Sequence, residues 1–438
     1  ASNLVENDLN NVTDIFIHDR DTNITEIVSL TNTGEQANGR SSFPSISDDG
    51  RYIVFVSEAT NLDSADTNNL PDIYLHDRLL GVTTRINKSN SGLQANDESF
   101  HPTISNDGGS VVYWSDATNL VFDDTNGVRD IFVYNTQLSN TERVSVASDG
   151  TQANQYCLSS SISGNGRFVA FASQSNTLTE NDTNEVFVVF VHDRETGQTE
   201  RVSVASDGSE ANNHSAESSI NYDGRFIVFR SVSTNLVANN TDGISNIFMR
   251  NRENETTEII SVAYNGGAID DWAEKPSVDN AGQYITFASQ ATNIVEGDTL
   301  NTTYDIFIRD LVNLSNQIVS FEFINETPEA IAGPDQNVFT KQNVTLDGSG
   351  SWDPEGNTPL TYAWSQIAGT AVTLSDTLSV MPTFTAPNDP DSLVFSLVVT
   401  DSLGKSSEPD MVVVTVMNQA PIADAGPDQS GNTLSMFT

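Results

Sequence analysis

The stretch Ser47-Asp48-Asp49-Gly50-Arg51-Tyr52-Ile53-Val54-Phe55-Val56 decides the fold. Asp49-Gly50 is a tight-turn pair, because glycine takes positive φ without steric cost. The apolar run after it, Tyr52 to Val56, reads as a strand buried on both faces. The short apolar segment before it, Phe43 to Ser47, reads as its hairpin partner. Downstream, Asp72-Ile-Tyr-Leu-His76 and Val82-Thr-Thr-Arg-Ile86 alternate in the two-residue period of strands. One unit therefore predicts four short strands and no helix.

The unit repeats. The turn glycine recurs as Gly50, Gly108, Gly166, Gly224 and Gly282, and an aromatic residue follows five positions later as Phe55, Tyr113, Phe171, Phe229 and Phe287. A Gly-x-x-Ala-Asn segment begins at Gly34, Gly92, Gly150 and Gly208, with a degenerate copy at Gly266. A third landmark runs Asp8, Asp66, Asp124, Asp182, Asn240 and Asp298, so each series has a step of 58 (66 − 8). Four strands per unit and six units predict an all-β, six-bladed β-propeller over residues 1–323.

The residues Ser47-x-Asp49-Gly50-Arg51-Tyr52, then Phe55, then Asp72-Ile-Tyr74 resemble TolB-type (WD-repeat-like, PD40-like) propeller repeats. The variant carrying Ala59-Thr-Asn-Leu62, Asp66-Thr-Asn68 and Asp77-Arg78 resembles repeats of secreted bacterial proteins. That resemblance implies fold far more than function, since propellers host unrelated activities.

Asn3-Leu4 aligns with Asn61-Leu62, so the first unit supplies only its third and fourth strands, near Asp14 to His18 and Thr25 to Leu30. The first blade is thus expected to be incomplete. Three explanations stand open: a fragment of a longer protein, a two-stranded remnant, or strands donated by another chain.

After Glu326-Thr-Pro328 the pattern changes. Val344-Thr-Leu-Asp347-Gly-Ser-Gly-Ser-Trp352-Asp-Pro-Glu-Gly356, then Leu360-Thr-Tyr-Ala-Trp364, Leu393 to Asp401, and Met411-Val-Val-Val-Thr-Val416 predict an Ig-like sandwich around a buried tryptophan. These motifs resemble PKD (polycystic-kidney-disease) domains, here over residues 326–417. Such domains serve as spacers or as adhesive and carbohydrate-contacting modules outside the cell. Asn325, Pro328, Gly333, Pro334, Asp335 and Gln336 recur as Asn418, Pro421, Gly426, Pro427, Asp428 and Gln429, so 418–438 reads as the start of a second copy.

The chain has 438 residues, 19 Lys+Arg against 60 Asp+Glu, and a formal net charge of −41. Such acidity repels nucleic acid and anionic membrane surfaces and favours divalent cations. No apolar run reaches the length of a membrane-spanning helix. The one cysteine, Cys157, excludes a disulfide framework within the chain.

The candidate chemistry lies in the loop Asp-x-Asn-x-x-x-Asp before each third strand: Asp8, Asn10, Asp14; Asp66, Asn68, Asp72; and Asp124, Asn126, Asp130. Three oxygen side chains in a curling loop suit Ca²⁺, and the competing reading is turn capping by Asp and Asn. Later copies drift: Asp182 and Asn184 lack the third acid (Val188), Asn240, Asp242 and Asn246 carry less charge, and Asp298, Asn301 and Asp305 hold an insertion. Asp347, Asp353, Glu355 and Asp401 form a second acidic group, read as turn residues. His18, His76 and His192 recur beside Asp19, Asp77 and Asp193 and read as structural, while His101 and His214 lie on other strands. No Gly-x-Ser-x-Gly, His-Glu-x-x-His or phosphate-loop motif is present. Asn-x-Ser/Thr sequons fall at Asn11, Asn23, Asn254, Asn301 and Asn343.

The functional expectation is a secreted or cell-surface structural, adhesive or binding protein without a catalytic site in this chain, contacting protein or glycan. Two alternatives stand beside it. One is a non-catalytic accessory region of a larger secreted hydrolase. The other is a filament or surface-layer subunit that self-assembles by strand exchange.

Overall fold

A computed structural model of the chain describes residues 4–5, 8–180, 182–238, 243–297, 304–318, 327–354, 358–402, 404–418 and 426. The chain divides into two compact units, Ala1–Ser320 and Phe321–Thr438.

The first unit is a run of antiparallel sheets. Blade 2 has Ser41–Ile46, Tyr52–Ser57, Asp72–Asp77 and Val82–Arg85, hydrogen-bonded in that order. The same meander recurs through blade 6, whose strands are Ala273–Val278, Tyr284–Ser289, Asp305–Asp310 and Ser315–Ile318. Blade 1 holds only Phe16–Asp19 and Ile24–Ile27. No sheet of the described residues combines strands from both ends of the repeat.

The recurring aromatic faces a second one across the sheet in every full blade. Phe55 opposes Tyr74, and the rings lie 5.9 Å apart. Tyr113–Phe132, Phe171–Phe190, Phe229–Phe248 and Phe287–Phe307 repeat the pair. All ten rings are buried. Each core cluster joins two successive blades; one runs from Val54 and Ile73 of blade 2 to Tyr113 and Phe132 of blade 3. Burial of such side chains contributes about 1.5–3 kcal/mol apiece, so the blades stabilise one another.

The turn glycines are fixed by conformation and by space. Gly224 has φ +74°, and a Cβ there would collide with the ring of Phe168 in the preceding blade. Gly108 and Gly282 stand in the same relation to Tyr52 and Phe226. The turns also bond to one another: Asp48 N to Asn106 O, Asn106 N to Gly164 O, and Asn165 N to Tyr222 O. Asn106 Nδ2 donates to Asn280 Oδ1, joining the turns of blades 3 and 6.

The other two recurring motifs clamp together. Asn38, in Gly-x-x-Ala-Asn, bonds Asn61 and Thr60, in Ala-Thr-Asn-Leu, and Asn61 Nδ2 donates to Gln36 O. His76 Nδ1 meets Thr83 Oγ1, which itself donates to Leu30 O of blade 1. His192 and Thr199 repeat the arrangement toward Val146. The recurring histidines therefore hold strands together. Cys157 is fully buried, and burial pushes its thiol pKa far up.

The second unit is a sandwich. Gln336–Phe339, Asp410–Met417, Asp391–Thr400 and Thr361–Ala368 form one sheet, with Asn343–Thr345 and Thr383–Thr385 opposite. Trp364 is buried among Leu346, Phe384, Phe395 and Val412, and its Nε1 donates to Ser379 O. Asp347 and Asp401 accept the backbone N–H groups of Ser349 and Lys405, as turn residues do. Glu355 and the 418–438 repeat, apart from residues 418 and 426, lie outside the described residues.

Candidate functional site

The acidic loops of blades 2 to 4 enclose a cation supplied by the chain. Arg85, on the outermost strand of blade 2, is buried with its Nη1 2.9 Å from Asp72 Oδ2, 3.3 Å from Asp66 Oδ1 and 3.2 Å from Gln94 Oε1. Its Nε lies 3.1 Å from Asp63. Burial raises the pKa of Asp72, against the lowering effect of Arg85 and Asn87. Burial opposes the charge of Arg85, but the hydrogen bond to Asp72 outweighs it and the pKa rises. Blade 3 repeats the motif more loosely, with Arg143 Nη1 3.3 Å from Asp124 and 3.9 Å from Asp130. There burial lifts Asp130 to about 6. In blade 4 Arg201 pairs with Glu210 and stands 3.8 Å from Asp182.

The loop asparagine is a staple. Asn68 Nδ2 donates to Ala95 O while its Oδ1 accepts Leu70 N. Asn126 bonds Ala153 O and Val128 N, and Asn10 bonds Ala37 O and Val12 N. Among the described residues no group of three or more His, Cys, Asp or Glu side chains is arranged to hold a metal ion. Asn240, Asp242, Asp298 and Asn301 lie outside the described residues.

A different feature breaks the repeat. The innermost strand of each full blade is bulged, with register shifts at Ser42/Ser45, Phe100/Thr103, Leu158/Ser161, Ala216/Ser219 and Glu274/Ser277. In each bulge one non-glycine residue has left-handed backbone: Phe43 (φ 53°), His101 (53°), Ser159 (55°), Glu217 (51°) and Lys275 (53°). That conformation costs roughly 1–3 kcal/mol per residue, yet all five copies keep it with five different side chains. Successive bulges touch. The Phe43 and His101 rings are 4.2 Å apart, Ser218 Oγ donates to Ser159 O, and Lys275 N donates to Glu217 Oε2.

Around this row lie side chains that belong to single copies. Trp114 packs on Phe100, with the Arg129 guanidinium 3.6 Å over its ring. Arg129 grips Asp116 at 2.6 Å. His101 is held below the usual histidine range, by burial first and then by Arg129. Farther round, Leu158, Ser159, Phe187, His214, Glu217 and Arg230 line a cavity of about 500 Å³. Glu217 pairs with Arg230 at 3.2 Å, and His214 Nδ1 accepts Phe187 N. Tyr156 and Trp272 stand exposed at the entrances to their inner strands. A larger cavity of about 810 Å³ lies between blades 1 and 2, but its Arg51, His76 and Arg78 are among the residues that tie strands together. The bulge row was hidden in the sequence because its positions hold no common residue type. Its one signal was proline after the bulged residue, at Pro44, Pro102 and Pro276.

No curated protein matches the chain. Among solved structures it is similar to a putative TolB from Agrobacterium tumefaciens, at 15% identity and TM-score 0.41, covering 70% of this chain and 88% of that one. It is similar to the GH74 enzyme of Niastella koreensis at 10% identity and TM-score 0.35, covering 90% of this chain and 70% of that one. The PKD domain of the KIAA 1837 protein is similar at 29% identity and TM-score 0.19, over 24% of this chain and 96% of that one. Residues 332–416 match a PKD domain family, so the C-terminal unit, which follows the propeller blades in the chain, is a PKD domain.

Proposed function

We propose that this chain is a non-catalytic, extracellular binding protein whose propeller contacts protein or glycan through the bulged inner strands. One observation carries the reading. A strained backbone position is kept in five blades, while the side chain it presents changes each time. A purely structural position in a tandem repeat drifts toward one residue type, as the turn glycines and core aromatics have. A recognition surface instead holds the backbone and varies the side chain. The mixture there, Phe43, Tyr156 and Trp272 with His101, Glu217, Lys275 and Arg129, combines aromatic anchors with charged groups, as interface hot spots do. The PKD domain supports an extracellular setting, and no helix among the described residues is long and apolar enough to cross a membrane.

The test is binding of the intact chain to a panel of purified polysaccharides and to bacterial surface proteins, with and without the triple variant His101→Ala, Glu217→Ala, Lys275→Ala. We expect a ligand whose binding the variant loses at unchanged unfolding temperature. A variant that binds like the parent, or hydrolysis of any bound glycan, overturns the proposal.

A further inference from the structure

We infer that blade 1 holds a divalent cation in the cage that blades 2 to 4 fill with arginine. Arg85, Arg143 and Arg201 occupy one register position, opposite Tyr74, Phe132 and Phe190. Opposite Phe16, blade 1 has Ile27. Blade 5 also has isoleucine there, Ile259 opposite Phe248, but its acids have become Asn240 and Asn246. Blade 1 lacks the arginine and keeps both acids, Asp8 and Asp14.

Asp14 shows the consequence. It is only 8% exposed. Its Oδ1 accepts Ser29 Oγ at 2.5 Å, as Asp130 Oδ1 accepts Ser145 Oγ at 2.5 Å in blade 3. That match fixes the other oxygen: Asp130 Oδ2 is the one facing Arg143. Asp14 Oδ2 points into the corresponding space and has no hydrogen-bond partner, although it is buried. Among the described residues no arginine or lysine pairs with Asp8 or Asp14, whereas Asp66, Asp72, Asp124 and Asp130 each have one. A buried carboxylate without a counter-charge costs several kcal/mol. A hard divalent ion would supply that charge, and its preferred ligands are carboxylate and amide oxygens with water.

The third oxygen of the cage is also retained. Gln36 stands where Gln94 contacts Arg85, and its Oε1 accepts Leu9 N as Gln94 Oε1 accepts Thr67 N. Asn10 is occupied as a staple, so Asp8, Asp14 and Gln36, rather than the Asp-Asn-Asp triplet, make up the ligand set. Ca²⁺ and Mg²⁺ share this chemistry. Ca²⁺ takes six to eight oxygens in a flexible shell, while Mg²⁺ keeps more of its water.

The experiment uses the full chain stripped with EDTA and titrated calorimetrically with CaCl₂ and, separately, MgCl₂. Unfolding temperature is followed at each ion concentration. One equivalent should bind above the weak background of the acidic surface, and the stronger of the two ions is the ligand. Ile27→Arg restores the side chain of blades 2 to 4 and should abolish both that equivalent and the shift in unfolding temperature. Asp14→Asn should do the same, and decides the matter if Ile27→Arg does not fold. Absence of a stoichiometric site for either ion, or binding that survives Asp14→Asn, overturns the inference.

Discussion

Arg85 and Asp72 meet at 2.9 Å inside blade 2, with side chains 1% and 0% exposed. Such a pair adds little net stability over an apolar core, but breaking it leaves a charge with no water around it. Arg85→Met should therefore destabilise the propeller by about 3–5 kcal/mol in urea denaturation. The triple variant Arg85→Ile, Asp66→Asn, Asp72→Asn copies the composition of blade 5 and should recover most of that loss. A single-variant cost below about 1 kcal/mol, the scale of an exposed pair, would show that the guanidinium is not what neutralises the loop.

Asp130 sets a pH dependence. Burial lifts its carboxyl to about 6, so the folded chain binds this proton more tightly than the unfolded chain does. Between the ordinary carboxylate range and about 6, the folded state carries the extra proton, and this group's contribution to stability falls as pH rises. Asp130→Asn removes the titration, and blade 5 already tolerates Asn246 at this position. Measured by denaturation at about pH 4 and about pH 7.5, the variant should gain on the parent toward neutral pH by up to about 3 kcal/mol. A difference between the two chains that does not change with pH contradicts the assignment.

The repeat glycines separate into two kinds. Gly34 has φ +83° with open space where a Cβ would go, while Gly224 has φ +74° and the Phe168 ring in that place. Gly34→Ala should cost about 1–2 kcal/mol, the left-handed penalty alone. Gly224→Ala adds displacement of an aromatic ring at the blade 4–blade 5 boundary and should cost more, by at least about 1 kcal/mol. Phe168→Ala in the Gly224→Ala background tests the cause, because the excess should shrink in a double-mutant cycle.

How far the sequence revealed the molecule depended on whether a feature was periodic. Gly50, Phe55 and Asp72 recur at fixed spacing, and their four-strand unit is what the structure contains. The two-stranded first blade followed from aligning Asn3-Leu4 with Asn61-Leu62. The tryptophan of the second unit was equally legible, since Trp364 sits in an alternating strand. Charge pairing was not. Asp66 and Arg85 lie on different strands of one blade, so a loop scan found the acids and missed the cation that the hairpin brings back to them. The bulge row was still less accessible. Its five residues share a backbone conformation and no chemistry, and φ is not written in residue identity when the residue is not glycine.

The second unit offers a test of its separate core. Its buried cluster, from Ala330 to Val416, contains no residue of the blades. Trp364 fills that cluster and satisfies the Ser379 carbonyl through its indole N–H at 3.1 Å. Trp364→Phe removes the donor and part of the ring, leaving a void and an unpaired acceptor. These two losses together should cost about 2–4 kcal/mol. In calorimetry of the full chain, the transition of the PKD domain should move down while that of the propeller stays in place. Equal movement of both transitions would show that the two cores unfold as one, and would shift the cause from Trp364 packing to a contact between the units.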